Sequence, residues 1–191
     1  AYVDAVKSGL NVKDSVKVAS ATALAASTYS NGSSGVGATL TANANGALTI
    51  DGVSMSTNDR VLIKDQTDAS QNGVYTVTNA GGASATFVLT RTTDADTGAE
   101  LTGGTFVFAE EGTANADNGF VFTHSGSPTM GSTNLTVSQF SGAGQITAGS
   151  ALTKSGNTLN VGVDDSSIEV NSDALRVKAS GITNAMLAGS I

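Results

Sequence analysis

Residues 58–123 carry five short apolar runs, RVLIK (60–64), NGVYTVT (72–78), TFVLTR (86–91), GGTFVFAEEG (103–112) and NGFVFT (118–123), set apart by Gly, Asn and Asp. Each run is rich in Val, Ile, Phe, Thr or Tyr, which fit a pleated, half-buried surface, and each is bounded by turn formers. This alternation predicts an all-β domain. RVLIK places Val61 and Ile63 on one face and Leu62 on the other, so both faces are apolar and the strand is expected inside the domain. In NGVYTVT, Val74, Thr76 and Thr78 share one side and Tyr75 and Val77 the other; Tyr75 and Val77 are the expected core pair.

Upstream, VGATLT (36–41) and ALTI (47–50) followed by Asp51-Gly52 predict a hairpin, because Asp-Gly supplies the positive φ values of a type I′ turn. Residues 65–73 read as a polar loop and 80–85 as a turn, while 94–103 and 110–118 read as acidic loops and 135–140 close the domain. Roughly eight short strands in about 105 residues match the spacing of a small sandwich or barrel. The central β domain is expected to span 36–143.

The flanks read differently. Within 1–35, Val3, Val6 and Leu10 lie at helical spacing with Gly9 as a stop, predicting one or two short helical turns. From 20 to 37 the composition shifts to Ala, Ser, Thr and Gly, too little apolar mass for a core. We expect a linker or surface arm there, with 21–26 able to extend a helix and 30–35 as a loop. In 144–191, LTKSGNTLNV (152–161) and IEVNSDALRV (168–177) match at a spacing of 16: Leu152 with Ile168, Asn157 with Asp173, Leu159 with Leu175, Val161 with Val177. Each copy is strand, polar turn, strand, and a lone hairpin is marginal in water, so the repeat calls for partners, most simply the same segment in symmetry-related copies. Ile182, Met186 and Leu187 suggest a short terminal helix.

Composition narrows the function classes. The 191 residues include 23 Gly, no Trp and only 5% aromatics, which argues against one large core and favours tight turns and close chain approach. A net charge of −7 and a pI of about 4.4 repel a phosphate backbone, so no nucleic-acid partner is expected. Without Cys there is no disulfide framework, thiol nucleophile or cysteine-type zinc site, which fits assembly in a reducing cytosol. No apolar run approaches the roughly 20 residues of a membrane helix, and no membrane insertion is expected. The sequence starts at Ala1 and ends at Ile191 inside a patterned segment, so we expect a piece of a longer chain.

Candidate chemistry is sparse. Asp94 with Asp96, or Glu110 with Glu111, are the carboxylate pairs a glycosidase would use, but neighbours in one loop do not flank a substrate, and the bland reading is a solvated loop. Asp94-Ala95-Asp96-Thr97-Gly98 partly matches a calcium loop yet lacks the third oxygen ligand and the closing Glu, so a turn without metal is favoured. His124 is the only histidine and cannot start a His/Cys metal site; a strand-end or surface position is its expected role. The Gly pairs 35/37 and 142/144 lack the rest of a nucleotide-binding pattern and read as turns. Asn31-Gly32-Ser33 and Asn134-Leu135-Thr136 are glycosylation acceptors in form only. We expect no catalytic, cofactor-binding or metal-binding residue and no enzyme.

The segments GVGATLTANANGALTIDGV (35–53), DRVLIKDQTDASQNGVYTV (59–77), LTRTTDADTGAEL (89–101), GGTFVFAEEGTANADNGFVFT (103–123) and QFSGAGQITAGSALTKSGNTLNV (139–161) together resemble a module of bacteriophage tail-fibre and related tail proteins. Tyr2, Val3 and Asp4 resemble the YVD stretch ahead of that module, where a helix packs against symmetry mates; the alternative is an ordinary terminal helix on its own domain. The resemblance implies a homotrimeric virion component, assembled in the host cytoplasm, whose C-terminal repeats form a three-chain stem and whose partners are other tail or baseplate proteins. No residue carries over as a binding site.

The expected fold is thus mainly β: a short N-terminal helix, a small central sandwich or barrel, and a trimerising β-repeat stem. The expected function is a structural component of a phage tail supporting host attachment. The alternative is a glycan-binding, receptor-recognising central domain using the loops at 65–73, 94–103 and 110–118, although few aromatics sit in them. A depolymerase would be a third class, and nothing in the sequence encourages it.

Overall fold

Short runs of alternating apolar and hydroxyl residues give short strands. The computed structural model describes residues 11–140, 148–155, 158–172 and 174–187. Strand accounts for 43% and helix for 4% of the described residues, so the protein is mainly β. The chain divides into two compact units, Ala1–Gly142 and Ala143–Ile191.

In chain order the strands of the first unit are β1 (Asn11–Val12), β2 (Val16–Ala19), β3 (Ser27–Ser30), β4 (Thr39–Ala42), β5 (Thr49–Ile50), β6 (Val53–Ser54), β7 (Arg60–Ile63), β8 (Gly73–Gly82), β9 (Ala85–Arg91), β10 (Thr105–Glu111), β11 (Asn118–Phe122) and β12 (Val137–Gln139). Ten of them form one sheet in the order β12, β11, β10, β2, β7, β8, β9, β4, β3, with β1 paired to β10. Pairing is antiparallel except that β2 runs parallel to both β7 and β10, and β1 parallel to β10. The expected sandwich or barrel strands are therefore joined by pairing into one mixed sheet. The joint is β2, whose VKVA sequence is too short to announce itself yet whose Val16, Val18 and Ala19 are fully buried.

The two-faced run behaves as its pattern demands. Leu62 and Val74 join Val16, Val107, Phe120, Phe122 and Leu135 in one apolar cluster. Val61, Ile63, Tyr75 and Val77 join Leu40, Phe87 and Leu89 in the other. Burying each such side chain contributes about 1.5–3 kcal/mol, so these clusters, rather than the polar loops, hold the sheet together.

Turn chemistry sets the connections. Asp51 and Gly52 have φ of 47° and 80°, the left-handed pair that closes β5 onto β6 in a two-residue hairpin. VGATLT supplies β4, which pairs with β3 and β9 instead of with ALTI. The 80–85 turn narrows to two residues, because β8 runs to Gly82 and Gly82 faces Ala85. Within β8 the register slips between Val77 and Asn79, leaving Thr78 as a bulge residue.

The N-terminal expectations fare unevenly. Val3, Val6 and Leu10 lie outside the described residues. Residues 11–12 and 16–19 form strands β1 and β2, and the supposed linker contains edge strand β3. Residues 21–26 are irregular; Leu24 packs against the second cluster and its N–H bonds Gln66 Oε1 at 2.8 Å, contacts an Ala-rich helix there would lose.

In the second unit the repeat becomes two hairpins, β13 (Leu152–Ser155) with β14 (Thr158–Val161) and β15 (Ile168–Asn171) with β16 (Ala174–Val177). Their registers are the same: Leu152 faces Val161, and sixteen residues on Ile168 faces Val177. Even the closing bonds repeat, Gly162 N–H to Ala151 O and Lys178 N–H to Ser167 O. The turn residues Asn157 and Asp173 lie outside the described residues. Asp164 accepts from the N–H groups of Ser166, Ser167 and Ile168, which leads the chain into β15 and holds its carboxyl far below the usual range. The expected terminal helix is a single 3₁₀ turn, Asn184–Met186.

Candidate functional site

Loops carry function when a rigid scaffold presents side chains to solvent. Here the 94–103 loop engages its carboxylates within the protein, whereas Glu110, Glu111 and Asp117 of the second acidic loop are exposed. Asp94 lies against Arg60 in a two-pronged ion pair, Nη1 to Oδ1 2.8 Å and Nη2 to Oδ2 2.7 Å. Partial burial pushes this carboxyl up, and the guanidinium together with hydrogen bonding from Thr92 outweighs it, so the net shift is downward. Asp96 is 5% exposed; burial and the neighbouring Glu100 push its carboxyl up. Glu100 is held lower because Thr97 donates to it from both Oγ1 and N–H. Asp94 and Asp96 thus face Arg60 and Glu100, not a substrate between them.

Glu110 and Glu111 are successive residues of β10 and point to opposite faces of the sheet. Glu110 accepts from the Ser15 hydroxyl, and Glu111 lies near Lys17, whose ammonium is pushed up by its Asp59 hydrogen bond first and by Glu111 last. Neither pair has the facing geometry of a glycosidase. Among the described residues no three His, Cys, Asp or Glu side chains cluster to hold a metal ion. His124 follows β11 and is buried, its Nε2 2.9 Å from Leu101 O and its ring edge-on to Phe122. It is a packed strand-end residue rather than a surface one.

The loop between β10 and β11 is tied to the Asp51-Gly52 turn. The Asp51 carboxylate accepts from Ala114 N–H at 3.0 Å and Asn115 N–H at 2.8 Å, and its carbonyl accepts from Thr113 N–H. Asn115 reaches on to the carbonyls of Ala19 and Ser20. In the 65–73 loop, Asp68 caps the 3₁₀ turn Ala69–Gln71, and Asn72 bonds Gln66 N–H and Leu135 O. All three loops that a glycan-binding reading would use are therefore fixed by internal hydrogen bonds.

A second arrangement was not singled out by sequence reasoning. The register aligns Arg60, Thr76, Thr90, Thr39 and Ser30 across β7, β8, β9, β4 and β3. At about 4.8 Å between strands, this makes a straight polar row. The Arg60–Asp94 pair stands at one end, and with Asp14, Thr76, Thr78 and Thr90 it lines an open groove of about 510 Å³. Chemically the groove offers hydroxyls and a fixed charge pair for hydrogen bonding, with no nucleophile activated by a base. Its signal in the sequence was the outward threonine alternation of TVT and LTR, which period-2 reasoning assigns to solvent.

The second unit presents a surface of another kind. On one face of each hairpin lie Leu159 and Val161, or Ile168, Val170, Leu175 and Val177, each between 38% and 56% exposed, with Lys154 opposite Leu159 on the first. The opposite face of the second hairpin is polar, with Glu169 and Arg176 paired at 2.8 Å. Searches of family models, curated proteins and solved structures find no match to this chain.

Proposed function

We propose that this chain is a structural component of a phage tail, a tail fibre or fibre-like appendage that supports host attachment, and that it works as a homotrimer with a C-terminal stem. The observation that carries the reading is the pair of hairpins of identical register, each with a largely apolar face whose side chains stay exposed in a single chain. Two-stranded hairpins of this size do not hold alone in water, and a closed symmetric assembly covers such faces with no new sequence. The ordered tail-fibre motifs of 35–161 support the same reading, as does a polar central domain whose loops are tied to one another. The role is mechanical and non-enzymatic, linking tail or baseplate proteins to a host-binding part of the virion. Electron microscopy of the encoding phage labelled with antibody to this chain tests it. Label along a tail appendage is the expected result, and virions that carry no label overturn it.

A second reading, glycan recognition by the central domain, draws on the groove beside Arg60 and Asp94 and its threonine row. It predicts that capsular or lipopolysaccharide glycan binds the chain and that Arg60→Ala abolishes the binding.

A further inference from the structure

Phe is scarce in this chain, six in 191 residues, and three of the six, Phe106, Phe108 and Phe140, enter neither apolar cluster. Phe106 and Phe108 are two apart on β10 and point to one side of the sheet, opposite Val107 and Ala109, which face the core. The register sets Val12 of β1 and Val121 of β11 beside Phe106. The Phe140 ring meets the Phe106 ring edge-on, with centroids 5.6 Å apart. Val12 is 63%, Phe108 38% and Phe140 64% exposed. Scattered apolar side chains at a surface need no explanation, but a contiguous aromatic patch in so polar a domain does.

We propose that other copies of this same chain cover the patch, so that three copies of it meet around the axis of the assembly; the inference rests on the trimeric stem proposed above. Two observations select this occupant. Residues 141–147 connect Phe140 to Ala148, and at about 3.5 Å per residue this connection reaches at most about 28 Å. A trimerised stem therefore tethers the three patches within that distance of it, at an effective concentration in the millimolar range. The second observation is charge. Copies of a chain with net charge −7 repel one another over most of their surfaces, and Val12, Phe106, Phe108, Val121 and Phe140 form an uncharged patch where they can approach, with Glu110 at its border on β10. Five side chains supply only a few hundred Å² per copy, below the ~800 Å² per partner of a stable interface, so the patch contacts depend on the stem.

The chain has no cysteine, so a single introduced thiol reports its own surroundings. Full-length Phe140→Cys, and separately Val12→Cys in case the first misfolds, would be treated with a short bis-maleimide while light scattering gives the molar mass. Thr28→Cys, exposed on edge strand β3, serves as the control. The expected result is a trimeric mass, with covalent dimers from Phe140→Cys or Val12→Cys at least tenfold above the control. A trimeric mass with both patch thiols freely labelled and not cross-linked overturns the inference and leaves the stem reading standing. A trimeric mass with patch thiols neither labelled nor cross-linked assigns the patch to another cover, such as residues 1–10, and also overturns it. A monomeric mass removes the stem reading and the inference together.

Discussion

Replacing Gly73 by Ala should be among the most damaging single-methyl changes in the central domain. Gly73 opens β8 with φ of +148°, and a Cβ built there lies 1.9 Å from Arg91 Nη1. That guanidinium cannot swing into water without loss. Arg91 is 2% exposed, donates from Nη2 to Asn72 O at 2.8 Å, and stacks on the Tyr75 ring at 4.9 Å. Displacing it removes a charge-assisted hydrogen bond, about 1.5–3 kcal/mol, and the new side chain adds backbone strain of about 1–3 kcal/mol. Gly73→Ala should therefore destabilise by about 3–5 kcal/mol, a large part of the 5–15 kcal/mol that holds a typical domain. Urea unfolding followed by far-ultraviolet circular dichroism measures the loss. A double-mutant cycle with Arg91→Met isolates the clash: in that background Gly73→Ala should cost only the strain, leaving a coupling of about 2 kcal/mol. Equal costs in both backgrounds would refute the steric reasoning.

Other substitutions probe the loops. Asp51→Ala removes the acceptor for Ala114 and Asn115 N–H and should cost about 2 kcal/mol after discounting for partial exposure; faster proteolysis between 112 and 117 is the companion readout, and unchanged cleavage would count against the clamp. Asp96 and Asp94 should give opposite pH slopes. Because Asp96 titrates higher in the folded state than its unfolded value of about 3.9, its contribution to stability falls as pH rises from that value through the folded one, and Asp96→Asn should flatten this limb. Asp94 titrates lower when folded, so its contribution is present above about pH 4 and fades as pH falls through the folded value. Asp94→Asn should abolish that acid limb at a cost of about 1 kcal/mol; melting temperatures between pH 2 and 7 (about five points suffice to define a slope) distinguish both variants from wild type.

The parts of the fold that depend on local pattern were legible in the sequence. RVLIK announced a strand buried on both faces, Tyr75 and Val77 are fully buried, Asp51-Gly52 makes the predicted turn, and the 16-residue repeat returns two hairpins of one register. What stayed hidden depends on partners distant in sequence. Val16–Ala19 is a four-residue run that becomes a central strand only because β7 and β10 flank it in parallel. The alanines of 21–26 carry helix propensity that the Leu24 and Gln66 contacts override. At the site, acidic composition suggested solvated loops, which holds for the exposed Glu110, Glu111 and Asp117, whereas Asp94 meets Arg60 across 34 residues of chain and Asp51 meets Asn115 across 64. The threonine row was invisible for a related reason: hydroxyls on alternate residues look like any solvent face until the register aligns them.

The molar mass of the full chain in solution, by light scattering, tests the central claim most directly. The exposed, largely apolar faces of the two hairpins predict a species of three times the 18.8 kDa monomer. A mass of one monomer at micromolar concentration and above would contradict the stem, and the fibre reading with it.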